Sequence, residues 1–545
     1  MTRSRFGPLA AAGASALILS ALIAGCSSGA TGATVASGGT IVQGGTIVYG
    51  HEQEPPCLYG GWLQQAYIDR NILDSLVTEA NNGSIEPWLA TSWTVSSNGL
   101  VYTFHLNPGV KFTDGTPLNA QAVAYNFNYW QHGGNSTAQV SMDPYYKSAT
   151  ALNATTVQVT LNKPYLPLLT MISQAYFGIQ SPTALKRSAA ANCDDPIGSG
   201  AFKVQKWIHG QEVILVRNPD YTSWPATALH KGPAIVDEVD WKFLPDPVER
   251  YESLVTGETN AIYDIPTVDW SNAEANFQVT QYVTPGKPVS IYLNTSEGIF
   301  TDVRVRQAFA YAADRKADVE AAFHGVIPYE GNPSVSRATP GYDASVAGAY
   351  PYDQAKAKSM LKSAGYPNGL TLKFLYRPSS TASTKAFQTL QADLAPAGIK
   401  LVGVGVPSAD FYVKYLEVPS VAKGGAWDVS LAGWGPDWYG DAATSFFKPL
   451  FYGANAYPPV GSNFGFYNNP AVNSLITKAA AQGSASTAAS DWAQLDQMVM
   501  KDAPIYPITQ PLQPLYHASY VHNAVYVPAL QGFDYTNVWL SSPTG

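Results

Sequence analysis

The chain has 545 residues, enough for three or four compact units or for two large lobes. Its 32 basic and 40 acidic residues give a net charge of -8, which speaks against a general nucleic-acid binder. Charged residues make up only 13% and hydrophobic ones 46%, so a large core can be buried and disorder is excluded for most of the length.

The first 26 residues read as an export signal. Arg3 and Arg5 form a positive start, Leu9 to Ile23 is an uncharged apolar run, and Ile23-Ala24-Gly25-Cys26 places small residues before a cysteine. These four residues resemble a bacterial lipobox, which implies that Cys26 becomes the lipidated N-terminus. An uncleaved membrane anchor is the alternative, since the run is nearly long enough to span. Without Arg3 and Arg5 the net charge becomes -10. Residues 27–44 form a flexible tether of mostly small residues. Gly38-Gly39-Thr40-Ile41-Val42 recurs as Gly44-Gly45-Thr46-Ile47-Val48, and the second copy, running into Tyr49, is the better first strand. No later apolar stretch reaches spanning length. In an exported chain the remaining cysteines, Cys57 and Cys193, are expected to form a disulfide; two separate buried thiols are the alternative.

Further elements follow from their periods. Tyr102, Phe104 and Leu106 alternate with Val101, Thr103 and His105, and Val157, Val159 and Leu161 alternate with Thr156, Gln158 and Thr160; both are strands. Between them Asp114-Gly115-Thr116-Pro117 is a turn, and Asn119 caps a helix with Val123, Phe127 and Trp130 on one face. Asp302 caps a helix to about Ala313 with Val305, Phe309 and Ala312 inward. Asp353 caps another with Ala357, Met360, Leu361 and Ala364 inward, ended by Gly365 and Pro367. From 370 the order is strand (370–376), helix (383–397), strand (399–406), a helix containing Phe411, Tyr415 and Leu416, and strand (427–432). That alternation implies parallel pairing with right-handed crossovers. The fold class is therefore α/β overall: a mixed α+β first half and an α/β second lobe.

Catalytic signatures are missing. The chain has no Gly-x-Ser-x-Gly elbow, no His-Glu-x-x-His, no Cys-x-x-Cys and no phosphate loop. Its eight histidines form no ligand spacing, so neither a metal nor a cofactor is expected. A glycosidase-like carboxylate pair stays open among 40 acids, but no residue pattern points to one. A binding protein with two lobes, a cleft and a few polar anchors needs no nucleophile and fits better.

An ordered string of motifs carries a family resemblance. It runs Pro87-Trp88-Leu89-Ala90-Thr91-Ser92-Trp93, Pro108-Gly109-Val110-Lys111-Phe112, Asp114-Gly115-Thr116-Pro117-Leu118, Pro196-Ile197-Gly198-Ser199-Gly200-Ala201-Phe202, Arg217-Asn218-Pro219-Asp220-Tyr221, and Phe300-Thr301-Asp302-Val303-Arg304-Val305-Arg306-Gln307-Ala308. From about Gly45 to the C-terminus the chain resembles the family 5 solute-binding proteins of ABC importers, the dipeptide- and oligopeptide-binding group. Most of these residues have structural readings: turn, cap, or glycines at a close backbone approach (Gly198, Gly200). The resemblance implies a two-lobed, periplasmic-binding-protein-like fold with an extra subdomain and a cleft between lobes. Its segments would be lobe I at 45–80, a subdomain at 81–197, lobe I again at 198–300, lobe II at 301–505, and a lobe I segment at 506–545. It further implies a monomer outside the cell membrane, held by lipidated Cys26, that passes solute to permease subunits with their ATPases.

Ligands of open α/β sheets lie outside the carboxyl ends of strands. Arg377 follows strand 370–376, and Asp437 follows strand 427–432 within Ala432-Gly433-Trp434-Gly435-Pro436-Asp437-Trp438. That stretch is similar to the family's Ala-Gly-Trp-x-x-Asp, where the aspartate takes a peptide's α-ammonium group. Arg377-Pro378 is similar to the arginine that takes the carboxylate in dipeptide binders. The chemistry agrees, since guanidinium matches carboxylate and carboxylate matches ammonium. The bland readings are a turn aspartate and a solvated arginine. Trp434, Trp438 and Tyr439 suit stacking on a sugar as well as packing over a peptide, with ordinary lobe packing as the alternative. Leu431 and Ala382 depart from longer-peptide binders, which carry basic residues or histidine near those places. A peptide carrier thus comes first, a carrier of an oligosaccharide or metal chelate second, and an exported hydrolase a distant third.

Overall fold

The computed structural model describes residues 41–541 except 53, 56, 60–67, 81–83, 133–137, 139–141, 143–144, 166, 264, 284–287, 324–330, 332, 338, 340, 379–380, 408–409, 433–443, 459–460, 483–484, 510–511 and 528–531. Three sheets organise it. The strands used below are β1 Thr46–His51, β2 Ala90–Val95, β3 Val101–Leu106, β4 Tyr146–Ala151, β5 Thr156–Leu161, β6 Phe202–Ile208, β7 Glu212–Arg217, β8 Glu238–Phe243, β9 Ala261–Tyr263, β10 Gln278–Val283, β11 Val289–Leu293, β12 Leu370–Tyr376, β13 Ile399–Gly405, β14 Val429–Ala432, β15 Ile505–Thr509 and β16 Leu512–His517.

A four-stranded antiparallel sheet runs β2-β3-β5-β4. The alternation read from the sequence places Tyr102, Phe104 and Leu106 with Val157, Val159 and Leu161 in one core. The helix Ala120–Gln131 covers that core with Val123, Phe127 and Trp130, all buried, and the Asn119 side chain accepts the Ala122 amide as its cap. The turn before it is pinned by Asp114, whose carboxylate accepts the Thr116 amide at 2.9 Å and the Ser181 hydroxyl at 2.6 Å.

A seven-stranded sheet runs β10-β16-β9-β1-β8-β7-β6. β1 pairs in parallel with both β8 and β9, so the second copy of the short duplication is the central strand. The chain leaves this sheet after His51, passes Ile72 in the core beneath it and returns at β6. There a Cβ on Gly198 would lie 2.0 Å from the Ile72 carbonyl oxygen, and one on Gly200 2.5 Å from the Ile72 carbonyl carbon. Only glycine fits two backbones that close, and the Gly200 amide donates to the Ile72 carbonyl at 2.9 Å.

A five-stranded sheet runs β13-β12-β14-β11-β15, with β12 parallel to both β13 and β14. Phe309, Ala357, Leu361, Leu390 and Leu394 pack into its core, and Gly398, at φ +86°, ends the segment before β13. Two details depart from the sequence reading. The third strand begins at Val429 instead of Trp427, because the Asp428 carboxylate takes the Lys373 amide at 2.7 Å. The helix around Phe411 is a π-turn, Phe411–Leu416, followed by a separate short helix, Pro419–Lys423. The segment bounds implied by the family resemblance put Val289–Leu293, and all but the first residue of Ile505–Thr509, with the first lobe. The structure pairs both with the five-stranded sheet, where β11 lies between β14 and β15. Their alternating apolar residues close the core on that side: Ile291, Leu293, Ile505 and Tyr506 are all buried there.

Candidate functional site

The site is built where strands of the two larger sheets end. Arg377 follows β12 directly. Its backbone amide donates to the buried Ser383 hydroxyl at 3.2 Å, which fixes where the side chain leaves the strand. Behind it Tyr376 stacks on Phe387 with ring centroids 4.9 Å apart, a stiff aromatic base. The guanidinium carbon lies 5.1 Å from the ring centroid of Phe411, on the π-turn. Arg377 Nε is buried and has no hydrogen-bond partner among the described residues. A charged donor in that condition is ready to receive an anionic acceptor.

From the seven-stranded sheet Glu52 comes forward, one residue past β1. Burial pushes its pKa up, while the positive charges of Arg250 and then Arg377 pull it down. Glu52 and Arg377 therefore stand on different sheets and lie within electrostatic reach of one another. Arg250 is held in place by its bonds from Nε to the Tyr263 carbonyl at 2.8 Å and from Nη1 to the Leu244 carbonyl. Buried aromatic rings pack beside the end of β1 on this side. Tyr49 and Trp241 are 4.6 Å apart, and His51 lies 5.0 Å from Tyr263 and 5.7 Å from Trp241.

The other expected site residues, Trp434, Asp437, Trp438 and Tyr439, lie outside the described residues, as does Cys26. They follow β14, which pairs in parallel with β12, so the chain leaves both strands at the same end of the sheet. Cys57 and Cys193 lie side by side, with Cα atoms 4.7 Å apart, within disulfide reach, and the Leu58 amide donates to the Cys193 carbonyl at 3.0 Å beside them. Glu52 is the residue that the sequence reading passed over. The rule that found Arg377, a charged group just past a parallel strand, applies equally to the strand running through Tyr49.

Among the described residues no group of three or more His, Cys, Asp or Glu side chains is arranged to hold a metal. No helix among them is long and apolar enough to cross a membrane. Neither Arg377 nor Glu52 lines the surface cavity of about 390 Å³ formed by Tyr311, Tyr350 and Lys356 among others, or the one of about 280 Å³ formed by Asp194, Trp207 and His209 among others.

Comparison with known proteins agrees with this architecture. The family described as bacterial extracellular solute-binding proteins, family 5 Middle, matches residues 84–458. The glutathione-binding protein GsiB of Pectobacterium atrosepticum is 30% identical over 394 residues, 72% of this chain and 73% of that one. Heme-binding protein A of Haemophilus influenzae is 29% identical over 480 residues, 83% and 82% of the two chains. Among solved structures, the periplasmic binding protein DppA from Helicobacter pylori, in complex with the peptide STSA, superposes with a TM-score of 0.78. It is 26% identical and covers 92% of this chain and 99% of its own. The neighbouring structures are two-lobed binding proteins of ABC importers, and the sheets described here make up that fold. With the match spanning well over half its length, the chain belongs to the family 5 extracellular solute-binding proteins.

Proposed function

We propose that this solute-binding component captures peptides, with Arg377 and Asp437 holding the ligand's two charged ends between the lobes. The observation that carries the reading is Arg377: a guanidinium at the carboxyl end of a parallel strand, fixed at its backbone, with a buried Nε left without a partner among the described residues. Such a donor suits a terminal carboxylate. The likeness to a binding protein solved with a peptide supports the same ligand class. Trp434, Trp438 and Tyr439 would pack over the ligand. Glu52, on the facing sheet, adds an acceptor for a cationic group. The lobes would turn about the two chain passages between β10 and β11 and between β15 and β16, since among the described residues the strands of one large sheet give way to those of the other at these two places. The protein would act by binding without turnover, as a monomer, and would hand solute to a permease with its ATPases.

The test is mass spectrometry of solute released from the purified protein. Peptides are expected. An oligosaccharide or a metal complex would promote the second reading, which the relatives named for glutathione and heme keep alive. Sustained cleavage of a mixed peptide pool would return the chain to the hydrolases.

The lipid anchor belongs to the same proposal. Its support is the charged start, the apolar run and the small residues before Cys26. Cys26→Ala is expected to move the protein from the membrane fraction to the soluble one, or to leave it as an unprocessed precursor. A mature Cys26→Ala protein held as firmly as the parent would remove the claim.

A further inference from the structure

Lys448 lies on the helix Thr444–Phe451, whose Phe446, Phe447, Leu450 and Phe451 are buried in the core of the five-stranded sheet. Its ammonium points elsewhere. Nζ is 4.4 Å from the ring centroid of Tyr145 and 5.8 Å from that of Tyr165. Both tyrosines belong to the core around the four-stranded sheet, where their rings stack 3.9 Å apart at 20°. Tyr145 immediately precedes β4 and Tyr165 follows β5, at the end where the Asn162 amide donates to the Tyr145 carbonyl. The contact thus joins two bodies that have separate cores.

The chemistry of the contact is unusual for a surface lysine. Burial pushes the Lys448 pKa down to about 8. An ammonium taken from water costs free energy unless other charge density replaces the water, and stacked phenol rings supply it. Among the described residues the ring contacts of Lys448 are to these two tyrosines of the other body, so the arrangement has its physical reason where the two bodies meet. A lysine also suits a contact that must break. When the bodies part the ammonium is hydrated, whereas an apolar side chain at the same place would leave a sticky patch.

We propose that Lys448 is a positioning residue for solute capture: its ammonium, seated on the Tyr145–Tyr165 stack, latches the two bodies in the closed arrangement. The latch acts through lobe closure and not through the ligand. It rests on the two-lobed fold and is independent of which solute is carried.

The test is small-angle X-ray scattering of the protein stripped of solute by partial denaturation and dialysis, with thermal unfolding to confirm folding. Lys448→Met and Tyr145→Leu are each expected to enlarge the radius of gyration, and the double variant little more than Lys448→Met, because both remove the Lys448–Tyr145 contact; Tyr145→Leu leaves Lys448 beside Tyr165 and also frees Lys163, which lies 4.9 Å from the Tyr145 ring centroid. The closed-to-open ratio should fall about 5- to 30-fold, the range set by a partly desolvated cation–π contact. Lys448→Arg should keep the parent's profile, since a guanidinium also sits on an aromatic face. Lys448→Gln, similar in length but uncharged, provides the same reading if the methionine variant misfolds. A folded, uncharged variant that scatters as the parent does overturns the latch. The carrier reading fails separately, on the absence of any retained solute, because the scattering is read without ligand.

Discussion

At the scale of single residues, the cleft is a problem of matching charges in a place that dries on closure. Arg377 brings a guanidinium whose Nε has no partner among the described residues, and Glu52 a carboxylate whose pKa burial pushes up. On the proposed reading Asp437 takes a peptide's α-ammonium group. Truncating one partner of a buried, hydrogen-bonded charge pair costs about 2–5 kcal/mol, or roughly 30-fold to several thousand-fold in affinity. A solvated turn aspartate would change binding by no more than about 0.5 kcal/mol. Calorimetric titration of Asp437→Asn with the native ligand, beside the same ligand acetylated at its amino end, separates the two. Both changes should weaken binding strongly, and together little more than either alone, since they remove the same contact. A folded Asp437→Asn protein with the parent's affinity would exclude the assignment.

At the scale of elements, polar side chains decide where helices begin and what they are tied to. Asn119 and Asn126 stand on the same helix with different work. Asn119 caps it through one bond to the Ala122 amide, and losing such a cap costs about 1 kcal/mol. Asn126 is fully buried: its Nδ2 donates to the Ala122 and Gln180 carbonyls at 2.9 and 2.8 Å, and its Oδ1 accepts the Gln180 amide at 3.0 Å. It therefore pairs both backbone groups of a buried residue 54 positions away. Asn126→Leu strands that amide and carbonyl, at about 1–3 kcal/mol for each unpaired group. Urea unfolding should find it clearly more damaging than Asn119→Ala. Equal losses would mean that the Gln180 bonds carry no net stability.

At the scale of the whole molecule, the question is how separate cores are held in one arrangement. The segment after β1 and the helix Ala189–Asp194 meet at Cys57 and Cys193, which lie 136 positions apart. In the chain-entropy account, closing so long a loop stabilises the folded state by up to about 5 kcal/mol, an upper figure because native strain subtracts from it. Non-reducing peptide mapping is expected to recover the two cysteines in one linked pair. Replacing both with serine should lower the unfolding midpoint. Two free thiols in the mapped protein would refute the bridge.

What the sequence determined by itself was local. The period of 101–106 and 156–161, the caps at Asn119, Asp302 and Asp353, and the glycines at 198, 200 and 398 each depend on a few neighbouring residues. Local sterics and hydrogen bonding settle such features whatever lies beyond. The place of Arg377, just past a readable strand, was legible for the same reason. Tertiary structure alone decided the rest. Val289–Leu293 carries no mark of which sheet it will join, because its burial depends on strands 429–432 and 505–509, both more than 100 residues away. Glu52 is an ordinary acid until Arg250 and Arg377 arrive from other parts of the chain. Lys448 reads as one charge on an apolar helix, and the contact it makes lies with Tyr145 and Tyr165, far earlier in the chain. Pairing, dielectric and contact across bodies are set by neighbours in space, and a one-dimensional pattern carries only neighbours in sequence.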